Sequence, residues 1–157
     1  MKIRICLMCL VYFIISACNT QNLRDSGSDS ELVMQREQQA GTAYQNEDWQ
    51  TAENLYLELT GEEPANAEYW FRLGNIYTRT GRLDAAVTAY RNALSRDNGY
   101  SKAWNNLGFV YLRQATDTFK DMLQHTDKND PLNQRAILVI NSVGDLMVSG
   151  FDKNAPD

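Results

Sequence analysis

The sequence has a single histidine, His125, and only three cysteines, Cys6, Cys9 and Cys18. His125 sits in the polar run His125-Thr126-Asp127-Lys128-Asn129-Asp130, where a solvated imidazole is the expected state. No Gly-x-Ser-x-Gly elbow, phosphate-binding glycine loop or His-Glu-x-x-His pattern occurs. Acid pairs such as Glu62-Glu63 and Glu47-Asp48 fall in expected turns, which they solvate. The chain thus offers no set of nucleophile, base or metal ligands, and neither an enzyme activity nor a cofactor is expected. Long apolar runs are also missing. The longest, Ile5 to Ile15, has eleven residues, short of the ~20 that a helix needs to cross a bilayer. Positive charge is scarce: 15 Lys and Arg against 20 Asp and Glu give a net charge of −5. A nucleic-acid partner is not expected, because duplex phosphates repel an acidic domain.

The short apolar run has its own meaning. Lys2 and Arg4 precede it, and Ile15-Ser16-Ala17-Cys18 closes it. That order is the layout of an export signal, and the closing tetrapeptide resembles the lipobox of bacterial lipoproteins. The resemblance implies cleavage before Cys18, a lipid anchor on its sulfur, and, with Asn19 rather than aspartate following, sorting to the outer membrane facing the periplasm. The alternative is an uncleaved anchor helix with an incidental cysteine. Removing residues 1–17 leaves 140 residues, one ordinary domain. Lys2 and Arg4 leave with the signal, and 13 basic against 20 acidic residues make the mature charge −7. Cys6 and Cys9 leave too, so no thiol pair remains for a disulfide or a zinc site. Residues 19–30 are polar and small and cannot bury enough surface to order themselves. The expected layout is a signal at 1–17, a lipidated tether at 18–30 with a reach of roughly 20 Å, a helical domain at 31–149 and a disordered tail at 150–157.

The expected domain repeats itself. Trp70, Leu73, Gly74 and Tyr77 recur 34 residues on as Trp104, Leu107, Gly108 and Tyr111, and Arg79 recurs as Arg113. Ala52 and Tyr56 recur as Ala86 and Tyr90. Gly41 and Tyr44 precede Gly74 and Tyr77 by 33, so the first unit is one residue shorter. Positions 70, 73, 74 and 77 share one helical face. Gly74 and Ala86 are small, as a close crossing of two helices requires, while Trp70, Tyr77 and Tyr90 fill the gaps around it. Gly81 suits a turn after the first helix, and Pro64 stops the helix before it. In the second unit Trp70-x2-Leu73-Gly74-x2-Tyr77, then Ala86-x3-Tyr90-x2-Ala93, resembles the tetratricopeptide repeat. The resemblance covers about 100 residues. It implies an all-α fold, a short right-handed superhelical solenoid of antiparallel helix hairpins, with two clear units, a divergent third and a closing helix.

The third unit departs from the pattern. No glycine follows Tyr111 at the turn, and the stripe Trp104, Gly108, Tyr111, Ala115, Phe119, Met122 continues unbroken. The spacing predicts one long helix from about Lys102 to Gln124; an irregular turn near Asp117 with a conventional hairpin is the alternative. Asp130-Pro131 is a good helix start, and Ala136, Val139, Ile140, Val143 and Met147 predict a closing helix from about Pro131 to Val148.

The family resemblance places the first helix of each unit along a concave groove. Its unpacked face is read as Glu68, Phe71, Arg72, Asn75 and Arg79, then Lys102, Asn105, Asn106, Phe109 and Arg113. Arg72, Asn75, Arg79, Lys102, Asn105, Asn106, Phe109 and Arg113 are the candidate partner-binding residues. Four cations gathered in an acidic chain suggest an acidic segment or a free carboxylate as ligand. Arg72, Asn75, Arg79, Asn106 and Arg113 are expected to form one exposed row. The function expected is a lipid-anchored scaffold or adaptor for a protein partner, in assembly of a cell-envelope complex such as a pilus. Alternatives are an adaptor for cell-wall hydrolases, and a structural lipoprotein that dimerises through its apolar C-terminal helix.

Overall fold

The computed structural model describes residues 30–151, with side chains to 147. Cys18, the expected signal and the expected tether and tail lie outside the described residues, except that residue 30 and residues 150–151 are helical. Six helices and no strand occur among the described residues. They are α1 (30–45), α2 (Trp49–Glu62), α3 (Ala67–Arg79), α4 (Leu83–Arg96), α5 (Ser101–His125) and α6 (Pro131–Phe151). The chain divides between Glu62 and Glu63 into two compact units.

The first unit is the α1–α2 hairpin. Tyr44 meets Trp49 edge-on at 5.5 Å between ring centroids and Tyr56 at 6.4 Å. Ala40, Ala43 and Ala52 are buried small residues on the two helices. Arg36 ties the helices from outside, pairing with Glu58 at 2.9 Å and with Glu62. The turn between them puts Glu47 at φ +58°, a left-handed conformation that costs a side chain about 1 kcal/mol or more. Asp48 then starts α2, its Oδ1 accepting from the Thr51 amide at 3.2 Å. The Thr51 hydroxyl first, and then this amide bond, hold the exposed Asp48 carboxyl below its ordinary pKa.

The first helix of the second unit begins past Pro64. Asn66 caps α3 by accepting from the Glu68 amide at 3.1 Å. Helices α3 and α4 form the tightest pair in this unit. A Cβ on Gly74 would lie 2.5 Å from the Tyr90 ring, so the glycine is what lets that ring seat. Tyr90 is 1% exposed, and burying such a side chain contributes roughly 2–3 kcal/mol. Gly81, at φ +76°, makes the turn. Around Tyr90 the core gathers Ala86, Ala93 and Leu94 with Ala103, Leu107 and Val110 of α5.

Thirty-four residues beyond Gly81 stands Ala115. Without a residue suited to a left-handed turn, α5 runs on for 25 residues. The long helix is thus the arrangement adopted, and the turn near Asp117 is not. Asp130 caps α6 through the Leu132 amide at 2.8 Å. Asn133 pins its start, accepting from the Thr126 hydroxyl and donating to the Asp127 carbonyl, both at 2.8 Å. α6 packs back on α5 and buries Ala136 and Val143.

Candidate partner-binding groove

The second unit contains all eight predicted groove residues, and the structure sorts seven of them into three settings. Arg72 is in an ion pair: its Nε donates to Glu68 Oε1 at 2.6 Å, one helical turn away. Tyr100 donates to the other oxygen of the same carboxylate. Burial first, then the Glu68 carboxylate, raises the Tyr100 phenol well above its ordinary pKa. Arg72 is thus held and largely neutralised at the edge of the face.

The asparagines form a network rather than a free row. Asn75 Oδ1 accepts from the Tyr90 hydroxyl at 2.8 Å and from Asn106 Nδ2 at 2.9 Å. Asn105 Nδ2 in turn donates to Asn106 Oδ1 at 3.2 Å. The core tyrosine therefore orients the Asn75 amide and directs its donor end away from Tyr90 and Asn106. Such a group suits a peptide carbonyl. Asn75 and Asn106 are half-buried, which corrects the expectation of one uniformly exposed row.

The third setting is a cavity of about 330 Å³ lined by Thr78, Arg79, Phe109, Val110, Arg113 and Met147. Arg79 and Arg113 are exposed at its rim, and neither pairs with a carboxylate among the described residues. Arg113 reaches the Thr78 carbonyl at 3.5 Å, which leaves its charge uncompensated. Phe109, Val110 and Met147 supply an apolar floor. The arrangement fits a ligand that presents an anionic group beside an apolar one. Lys102 stands about two turns from Phe109, toward the start of α5, and does not line the cavity.

A further sequence reading needs correction. Phe71, expected on the open face, is 6% exposed, its ring 4.9 Å from that of Tyr100 and 6.0 Å from that of Tyr90. The start of α5 covers it. Met147 lies on the closing helix as expected and also lines the cavity, a place that depends on how α6 docks. Among the described residues no cluster of three or more acid, histidine or cysteine side chains could hold a metal, and no helix is long and apolar enough to cross a membrane.

Comparison with known proteins agrees with this architecture. Over 53 residues the chain is 43% identical to Protein O-mannosyl-transferase TMTC2 of Mus musculus and of Homo sapiens. That stretch is 34% of this chain but 6% of the length of those relatives. In structure the chain is similar to the TPR2B domain of yeast Sti1 in its pHsp70 complex, with a TM-score of 0.51 at 11% identity, over 73% of this chain and 97% of that one. At that identity the likeness bears on fold alone. Residues 38–101 and 79–116 match the tetratricopeptide repeat family, together more than half of the chain. With its 34-residue recurrence and the Tyr90 ring seated on Gly74, the chain belongs to the tetratricopeptide repeat family.

Proposed function

We propose that this chain is a non-enzymatic adaptor that holds an acidic segment of a protein partner against α3 and α5. The observation that carries the proposal is the pair Arg79 and Arg113, exposed and without carboxylate partners, over the floor of Phe109, Val110 and Met147. A carboxylate between two such arginines gains charge-assisted bonds, and an adjacent apolar side chain gains burial in the cavity. The Asn75 amide, one turn along α3, is placed to fix the segment's backbone. The structural neighbour was itself captured in a complex with pHsp70, which supports a protein ligand for this fold. The transferase name belongs to relatives matched over 6% of their length, and no activity is carried over from them.

In the same proposal Cys18 anchors the adaptor by lipid to the outer membrane, facing the periplasm, where it serves assembly of an envelope complex such as a pilus. The sequence Ile15-Ser16-Ala17-Cys18 supports the anchor. Cys18→Ala should leave an uncleaved precursor that takes up no labelled fatty acid; equal labelling of both proteins would end that part of the proposal.

The groove is tested with an array of acidic peptides, each carrying one apolar side chain. Arg79→Glu with Arg113→Glu should weaken capture about tenfold or more and leave the melting midpoint unchanged. Affinity should fall as salt rises. Unchanged capture by the folded double variant would remove the groove as the site. A second reading, self-association through α6, is favoured by Leu132, Ile137, Leu138 and Leu146, all exposed on that helix. Molecular mass constant across a hundredfold range of concentration, on the order of that needed to span a micromolar Kd, would dismiss it.

A further inference from the structure

One face of α5 has lost the helix that its repeat pattern calls for. In α3, Trp70, Gly74 and Tyr77 lie under or beside α4, whose Tyr90 ring occupies the space above Gly74. The matching line on α5 is Trp104, Gly108, Tyr111 and Ala115, spaced i, i+4, i+7 and i+11 along one flank. There the positions of Ala86, Tyr90 and Ala93 are taken by Lys120, Gln124 and Asp127, the first two still within α5 itself. No second helix folds back along this line. α6 follows, but it packs on α5 without packing on α4. Its Met147 lines a cavity together with Phe109 and Arg113, which lie roughly 130° around the α5 axis from Gly108 and Ala115.

The vacated line is open. Trp104 is 56% and Tyr111 40% exposed. Gly108 is exposed between them and Ala115 is exposed one turn beyond Tyr111, and a Cβ on Gly108 would meet nothing within 4 Å. Two aromatic side chains thus flank the Gly108 position, and Ala115 extends the line of small residues. At one edge the Arg91 guanidinium lies 5.9 Å from the Tyr111 ring centroid, with no carboxylate partner among the described residues.

We infer that this strip is a docking site for an amphipathic helix of a partner protein, which completes the third hairpin in trans. The molecule itself supplies the chemistry of the occupant. α4 covers Gly74 with Ala86-x3-Tyr90-x2-Ala93, so the incoming helix carries a small residue, an aromatic four residues on and a small residue three beyond that. A carboxylate on its flank meets Arg91. The strip is separate from the arginine cavity, so either site stands or falls without the other.

The probe is a labelled synthetic peptide of residues 82–98, the chain's own α4 with its flanks, titrated against the full chain. Saturable binding is expected. Gly108→Leu in the protein should weaken it about tenfold or more, because the leucine fills the seat of the peptide's tyrosine. The melting midpoint should not fall, since that space is empty in the folded chain. Tyr90→Ala in the peptide should have the same effect, and Arg79→Glu with Arg113→Glu should have none. Absence of binding overturns the inference. So does binding that Gly108→Leu leaves unchanged, which would mean that the peptide displaces the native α4. If the protein instead forms dimers that Gly108→Leu dissociates, the strip is covered by a second copy and the assignment to a partner helix is wrong.

Discussion

The second repeat and the start of α5 carry the same four-residue signature and use it in opposite ways. Gly74 is buried beneath the Tyr90 ring, whereas Gly108 is exposed and a Cβ there would meet nothing within 4 Å. Trp70 is half-buried under the Arg96 guanidinium, 4.6 Å from its ring, and its indole nitrogen is enclosed without a hydrogen-bond partner. Trp104 is mostly exposed, and its indole donates to the Asn98 carbonyl at 2.9 Å. Tyr77 packs at the core edge, whereas its counterpart Tyr111 lies open. The difference shows that the signature on the first helix is only half of a contact. Its energetic worth resides in the second helix, and where that helix is absent the same residues become surface.

The largest effect should come from removing the complement. Tyr90→Ala takes away the ring that seats on Gly74 and donates to Asn75, and should cost about 3–5 kcal/mol. A melting midpoint within a degree or two of wild type would show that the hairpin does not depend on this contact. Alanine at the two glycines should then split in sign. Gly74→Ala pushes a methyl against a fully buried ring and should cost about 1–3 kcal/mol. Gly108→Ala relieves a glycine in a helix interior with no contact to disturb, and should gain about 0.5–1 kcal/mol. Denaturant titration of both variants reads the split, and equal signs would erase the distinction between the repeats. The smallest effect concerns the turns. Glu47 stands 34 residues before Gly81, and both adopt positive φ. Glu47→Gly should remove the strain at the cost of a looser unfolded chain, for a net gain of up to about 0.5 kcal/mol. A loss in thermal stability would show that the Glu47 side chain contributes more than its backbone costs.

The hairpins were legible in the sequence because glycine, tyrosine and alanine at fixed spacing specify a close crossing from both sides. The long α5 was legible from Ala115, which stands where a glycine would have turned the chain. Two features were not. Helical periodicity on α3 identifies the face toward α4, but Phe71 is buried on a second face by the arrival of α5 near Tyr100. Likewise the apolar stripe of α6 predicted a helix but not its docking, because Ala136, Val143 and Met147 carry no geometric instruction of their own. The cations of the candidate groove are all legible from their helical spacing. That Glu68 neutralises Arg72 while Arg79 and Arg113 remain uncompensated follows from side-chain reach, which spacing alone does not rank.

The uninterrupted α5 also bears on avidity. The arginine cavity and the aromatic strip occupy nearly opposite flanks of one helix, across a diameter of roughly 10–12 Å, with no glycine or proline after Gly108 to bend it. Their separation is fixed by the helix, so a ligand at one does not have to reshape the other. A partner that joined an acidic segment to an amphipathic helix by a short flexible linker would therefore meet its second site at an effective concentration on the order of millimolar. Two individually weak contacts would then hold as one, and cutting the linker would release both.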